Sequence, residues 1–166
     1  LNSDGSRADL IMIKGGGYRH PSSEETLREK VVDEYGNIRS DEQGYMQGGD
    51  VFNFVIREIP RDIKKTLEYA GDTADSFDYI VFHQANNFIN AYIAKKMKLD
   101  TDKIPSTIAK YGNTSSVSVP LTIVSELKDR LYGNKKLLLS AFGVGMTWAT
   151  GIVPFVDCKI SDIVEV

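Results

Sequence analysis

The sequence predicts an α/β fold on a mixed, mainly parallel sheet with helices on both faces. Three observations carry that expectation. Two short apolar runs, Tyr79–Phe82 and the stretch 135–141 around Leu137-Leu138-Leu139, have the length and composition of strands buried on both faces. Around them lie stretches whose apolar residues recur at helical spacing, most regularly Val51, Val55, Ile59, Ile63 and Leu67. The order helix, strand, helix, weak strand, helix, strand, strand implies parallel strands joined by helices, with a tight final return adding an antiparallel pair.

Element by element, Leu10-Ile11-Met12-Ile13 predicts a short strand stopped by Gly15-Gly16-Gly17. Ser22 and Glu25 have the spacing of a capping box and open a predicted helix over 23–35, ended by Gly36-Asn37. A polar loop then leads to Gly48-Gly49. Asp50 is the expected N-cap of the long helix and Gly71 its end, while Pro60 inside it predicts a kink. After the strand Tyr79–Phe82 comes the turn His83-Gln84-Ala85-Asn86. The next helix is expected to turn Ile89, Tyr92, Ile93 and Met97 inward and Lys95, Lys96 and Lys98 outward. Residues 104–108 predict a weak strand, 111–116 a polar turn and 116–131 a helix. Phe142-Gly143-Val144-Gly145-Met146 breaks the strand 135–141 before Thr147–Val156 returns as the last one.

With 166 residues and no linker or repeat, the chain reads as one domain over 1–166. Twenty Lys and Arg against 23 Asp and Glu leave a net charge of -3, which gives no support to nucleic-acid binding. One cysteine excludes an internal disulfide framework, and with only His20 and His83 beside it no zinc-type cluster is expected. No apolar run reaches the roughly 18 residues of a membrane span and no signal segment opens the chain, so a cytoplasmic setting is expected. The chain opens at Leu1, not methionine, and is expected to be a piece of something longer.

Parallel sheets carry their sites at the carboxyl ends of the strands, and His83, Asn113 and the turn 143–145 all follow predicted strands. His83 ends a strand too apolar to want it, just before a helix N-terminus whose dipole disfavours the imidazolium. It is expected to act as a neutral donor or base. Asn113 beside a glycine would by itself be only a turn. Asn113-Thr114-Ser115 also matches a glycosylation sequon, without any secretory feature to support it. Gly143-Val144-Gly145 is followed by a strand where a dinucleotide loop requires a helix, so its backbone N–H groups are read as candidate oxyanion donors. Gly15-Gly16-Gly17 lacks the lysine of a phosphate loop. Lys95, Lys96 and Lys98 taken alone form a solvated helix face, and Cys158 has no sequence cue for a reactive thiolate.

Together, His83-Gln84-Ala85-Asn86, Tyr111-Gly112-Asn113-Thr114-Ser115 and Ala141-Phe142-Gly143-Val144-Gly145-Met146-Thr147-Trp148 resemble the C-terminal half of β-ketoacyl-acyl-carrier-protein synthase III. Ser3-Asp4-Gly5-Ser6 and Met46-Gln47-Gly48-Gly49-Asp50-Val51-Phe52 extend the resemblance over nearly the whole chain. It implies a thiolase-like half-domain over 1–166, with the N-terminal half of that fold absent from this chain. The implied activity is that of an acyltransferase of fatty acid synthesis, which joins an acyl group from acyl-CoA to malonyl-acyl carrier protein by decarboxylative Claisen condensation. By the resemblance, His83 and Asn113 match the catalytic histidine and asparagine, and the N–H of Val144 matches the oxyanion hole. Met46 and Phe52 match the substrate passage, and Lys95, Lys96 and Lys98 would dock an acidic carrier. A homodimer is implied, with no cofactor beyond the coenzyme A thioester and phosphopantetheine of the substrates. The family's nucleophilic cysteine lies in its N-terminal half and Cys158 does not match it, so the isolated chain is expected to be inactive. Phe88 stands where the family typically carries an arginine, and Val144 and Ala149 replace glycines of the commonest pattern. The alternatives are a hydroxymethylglutaryl-CoA synthase-like or chalcone synthase-like condensing enzyme, or a non-catalytic acyl-binding half.

Overall fold

A computed structural model describes residues 1–164; positions 165–166 of the predicted domain lie outside the described residues. Among the described residues the strands are β1 (Asn2–Ser3), β2 (Ile11–Met12), β3 (Lys30–Val31), β4 (Ile38–Arg39), β5 (Tyr45–Met46), β6 (Tyr79–Phe82), β7 (Asn134–Gly143) and β8 (Thr147–Val156). The α-helices are α1 (Glu24–Leu27), α2 (Gly48–Ala70), α3 (Asn87–Met97), α4 (Ile108–Tyr111) and α5 (Ser118–Thr122). The chain divides into two compact units. One holds Leu1–Asn2, Phe52–Gly143 and the chain from Trp148 onward; the other holds Ser3–Val51 and Val144–Thr147.

The principal sheet has the order β1-β8-β7-β6. Strands β6 and β7 run parallel, with Tyr79 opposite Leu137 and Phe82 opposite Ser140. Ile80, Val81, Phe82, Leu137 and Leu138 are all buried, as the apolar centres of strands covered on both faces require. Asp78 fixes the register at the strand entrance: it accepts the Lys136 N–H at 2.8 Å and Lys135 Nζ at 3.0 Å. The short connection between the paired strands β7 and β8 makes that pair antiparallel. Behind the sheet, Val81, Leu127, Leu131 and Leu137 close a core against Tyr79, Ile123, Leu139 and Phe155.

Several expectations change on folding. The strand predicted over 104–108 does not form, since Pro105 has no N–H for a ladder and the chain turns into α4 at Ile108. The parallel part of the sheet is therefore the pair β6–β7, and the sheet as a whole is mixed. Helix α2 starts at Gly48, which places Asp50 in its first turn and not at its cap, and it continues through Pro60 without a break. In α3 the buried face is Ile89, Asn90, Ile93 and Ala94; Tyr92, expected inward, is 37% exposed. The helix expected over 116–131 is a helical track in four segments, with a π-helical turn at Ile123–Leu127.

In the second unit the helix expected over 23–35 shrinks to α1, capped by Ser23 and Thr26 in place of Ser22 and Glu25. The remainder pairs as β3 with β4. Val31 and Val32 favour extended backbone, and Asp33 closes the turn by accepting the N–H groups of Tyr35 at 3.0 Å and Asn37 at 3.2 Å. Strand β2 pairs with β5, Ile11 opposite Met46. Asp4 and Met146 exchange backbone hydrogen bonds at 2.8 and 3.1 Å. Gly145 beside them has φ of +134°, and a Cβ there would collide with Thr147 Oγ1. That turn admits glycine only.

Candidate active site at the carboxyl end of β6

The apolar strand β6 delivers His83 to its carboxyl end, where the His83 N–H still follows the ladder and donates to the Ser140 carbonyl at 2.9 Å. The side chain is half-buried. Its Nδ1 lies 2.7 Å from Ser118 Oγ, and the ring meets Phe142 edge-on at 5.1 Å between centroids. Burial lowers the His83 pKa below the ordinary imidazole value, so the ring is neutral near pH 7. The direction is the one expected from the sequence. Its cause is desolvation, where a helix dipole had been expected.

Gln84, fully buried, holds the turn that follows. Its Nε2 donates to the Phe82 carbonyl at 2.8 Å, and its Oε1 accepts from Ser106 Oγ at 3.1 Å and the Thr107 N–H at 3.0 Å. Asn86 caps α3 by accepting the Ile89 N–H at 2.8 Å. The strand end is thereby tied to the segment that leads into α4 and Asn113. Asn113 itself is exposed, just past Gly112, whose φ of +66° turns the chain out of α4. The Asn113 Oδ1 accepts the Ser115 N–H at 2.9 Å, so the donor Nδ2 is the end of the amide that remains to serve a ligand.

His83, Asn113, Phe52 and the three lysines belong to one unit, and Met46 and Val144 to the other. Met46 lies in β5 and is 56% exposed; Val144 stands in the β7–β8 turn and is 63% exposed. Phe52 stacks on Phe88 at 5.6 Å and meets Tyr92 edge-on at 6.2 Å, so the residue standing in for an arginine is Phe52's aromatic neighbour. Lys95, Lys96 and Lys98 are exposed, but Lys96 Nζ donates to the Ile56 carbonyl. Cys158 is exposed beyond β8. Ser118, Thr107 and Thr122 were not singled out from the sequence. The signal was present: Ser118 and Thr122 are polar residues four apart on a buried helical face. Among the described residues no helix is long and apolar enough to cross a membrane, and no group of three or more His, Cys, Asp or Glu side chains could hold a metal ion.

The family described as 3-oxoacyl-[acyl-carrier-protein] synthase III C terminal matches residues 67–155, the span that contains His83, Asn113 and the turn 143–145. The chain belongs to this family. β-Ketoacyl-[acyl-carrier-protein] synthase III of Streptococcus gordonii is 37% identical over 155 residues, which cover 91% of this chain and 44% of that protein. A crystal structure of a 3-oxoacyl-(acyl-carrier-protein) synthase III superposes with a TM-score of 0.85 at 37% identity, covering 92% of this chain and 45% of that one. The 3-oxoacyl-(acyl-carrier protein) synthase of Burkholderia xenovorans gives 0.83 at 36% identity, covering 97% and 44%. The likeness carries the thiolase-like α/β fold of these synthases. This member of the synthase III family spans less than half the length of the curated relatives it matches.

Proposed function

We propose that this chain supplies the histidine–asparagine half of a 3-oxoacyl-acyl-carrier-protein synthase III acyltransferase, the nucleophilic cysteine coming from the other half of the fold. The observation that carries the reading is His83 itself: a neutral imidazole, anchored through Nδ1 at the end of β6, in a chain of the synthase III family.

The reaction has two stages. The acyl–sulfur bond of acyl-CoA breaks as a cysteine thiolate takes the acyl group and coenzyme A leaves as its thiolate, which takes up the proton that the cysteine thiol had released. Malonyl-acyl carrier protein then loses carbon dioxide, the electron pair of the broken carbon–carbon bond passing into a thioester enolate. The enolate carbon attacks the acyl-cysteine, forms the new carbon–carbon bond and expels the thiolate. The enolate oxygen is the charge to be stabilised, and neutral donors do so without becoming proton sources that quench the carbanion. His83 and Asn113 Nδ2 fill that role, and the Val144 N–H serves the oxyanion of the condensation step. Met46 and Phe52 line the passage for the pantetheine arm. Lys95 and Lys98, with a lesser share for Lys96, meet an acidic carrier. The substrates bring coenzyme A and phosphopantetheine, and no other cofactor enters these steps. The enzyme works as a cytoplasmic homodimer in fatty acid synthesis, and the isolated chain, with only the exposed Cys158, does not condense.

The test separates the two stages in the full-length polypeptide. His83→Ala and Asn113→Ala should each slow malonyl decarboxylation by about 3 kcal/mol in the barrier, while single-turnover transfer of radiolabelled acetyl groups to protein persists. Loss of acylation with decarboxylation intact would overturn the assignment.

A further inference from the structure

Ser118 is only 1% exposed, and its hydroxyl oxygen has two neighbours, His83 Nδ1 at 2.7 Å and the backbone nitrogen of Gln84 at 3.3 Å. A peptide N–H can only donate, so the oxygen accepts from Gln84 and the hydroxyl proton is left for the other partner. If His83 carried its proton on Nδ1, two donors would face one oxygen, and the hydroxyl proton would be stranded in a buried place.

We infer that Ser118 is a positioning residue that donates its O–H to His83 Nδ1 and so holds the imidazole as the Nε2–H tautomer. The hydroxyl is itself held in place. The Ser118 carbonyl accepts from Thr122 Oγ1 at 2.7 Å, and Thr122 Oγ1, its proton committed there, accepts from Thr107 Oγ1 at 2.9 Å. Thr107 is fixed in turn by Gln84, whose backbone N–H completes the circuit at Ser118. Every proton in this ring of groups has one acceptor, and the ring delivers a single outcome at its open end: Nε2 carries hydrogen and faces away from Ser118. A histidine so fixed donates and does not accept. Ser118 thereby settles which of the two expected roles, donor or base, the residue can play.

The tautomer rests on the hydrogen-bond geometry alone, while its catalytic consequence rests on the condensing-enzyme reading above. The experiment keeps the two apart. With 15N-histidine in the full-length polypeptide, long-range 1H–15N correlations report the protonated nitrogen of each imidazole. Wild type should show His83 protonated on Nε2 at pH 8. Ser118→Ala should give a mixture of tautomers and a roughly tenfold slower decarboxylation, the loss expected of one buried hydrogen bond. Ser118→Thr, which keeps the hydroxyl, should restore both. A wild-type signal from Nδ1–H, or a pure Nε2–H pattern surviving in Ser118→Ala, overturns the proposal. A tautomer that responds while decarboxylation does not upholds Ser118 and removes His83 from the condensation chemistry. Should Ser118→Ala not fold, the wild-type spectrum decides the tautomer, and Ser118→Cys, close in size and a weak donor, replaces the alanine variant.

Discussion

The backbone carbonyl of Ile56 accepts a hydrogen bond from Lys96 Nζ at 2.8 Å. In an uninterrupted α-helix that carbonyl would receive the N–H of residue 60, but residue 60 is Pro60, which has none and whose ring crowds the preceding turn. A lysine from α3 therefore supplies the donor that α2 lacks, which lets α2 pass through its proline with the freed carbonyl satisfied. The same bond changes the standing of Lys96. Its ammonium has a structural task, so the docking proposed above rests on Lys95 and Lys98.

Lys96→Ala should accordingly cost about 1 kcal/mol of stability, and the cost should depend on Pro60. In a Pro60→Ala background the helix makes its own bond to Ile56, so removing the lysine becomes nearly neutral. Urea unfolding of the four proteins measures the coupling, expected at roughly 0.5–1 kcal/mol. Equal losses in both backgrounds would mean that Lys96 and Pro60 act independently.

The pH dependence should follow His83. Burial lowers its folded-state pKa below an unfolded value of about 6.5, so between those two values the unfolded chain binds more protons than the folded one. Folding is then unaffected by this group above about pH 6.5, and stability drains as pH falls towards the lowered folded value. Stability measured from pH 7.5 downward should fall less steeply in His83→Gln than in the parent, and the acid limb of decarboxylation should lie below about 6.5. A parent and variant with parallel stability profiles would contradict the burial argument.

Gln84→Leu should be among the more damaging single changes outside the apolar core. It removes the partner of the Phe82 carbonyl and of the Thr107 N–H, both of which the fold has taken from water. A cost of about 2–3 kcal/mol is expected, with the Asn113 segment loosened first. Hydrogen exchange of the Thr107 amide reports that loosening directly. Unchanged protection there would show that Gln84 does not hold the segment.

The elements legible in the sequence were those whose signal is local. Strands β6 and β7 and helix α2 announce themselves because burial on two faces, or on one helical stripe, demands an apolar pattern, and β8 because the glycine turn 143–145 returns the chain. The turns bearing His83 and Val144 were legible for a related reason: polar or glycine residues stand where strands end, whereas the Asn113 turn follows helix α4 and not the strand its position had suggested. The hairpin β3–β4 was not legible, since α1 has a true cap and the competing strand pairing is settled only when Lys30 finds Arg39. Nor was the missing strand at 104–108, which Pro105 and the Gln84 clamp resolve together. Above all, the partners of His83 and Ile56 lie 35 and 40 positions away in Ser118 and Lys96. A hydroxyl and an ammonium carry no mark in the sequence of the acceptor they will meet. Packing alone brings each within hydrogen-bond reach of its acceptor, buried in the case of Ser118 and at the surface in the case of Lys96.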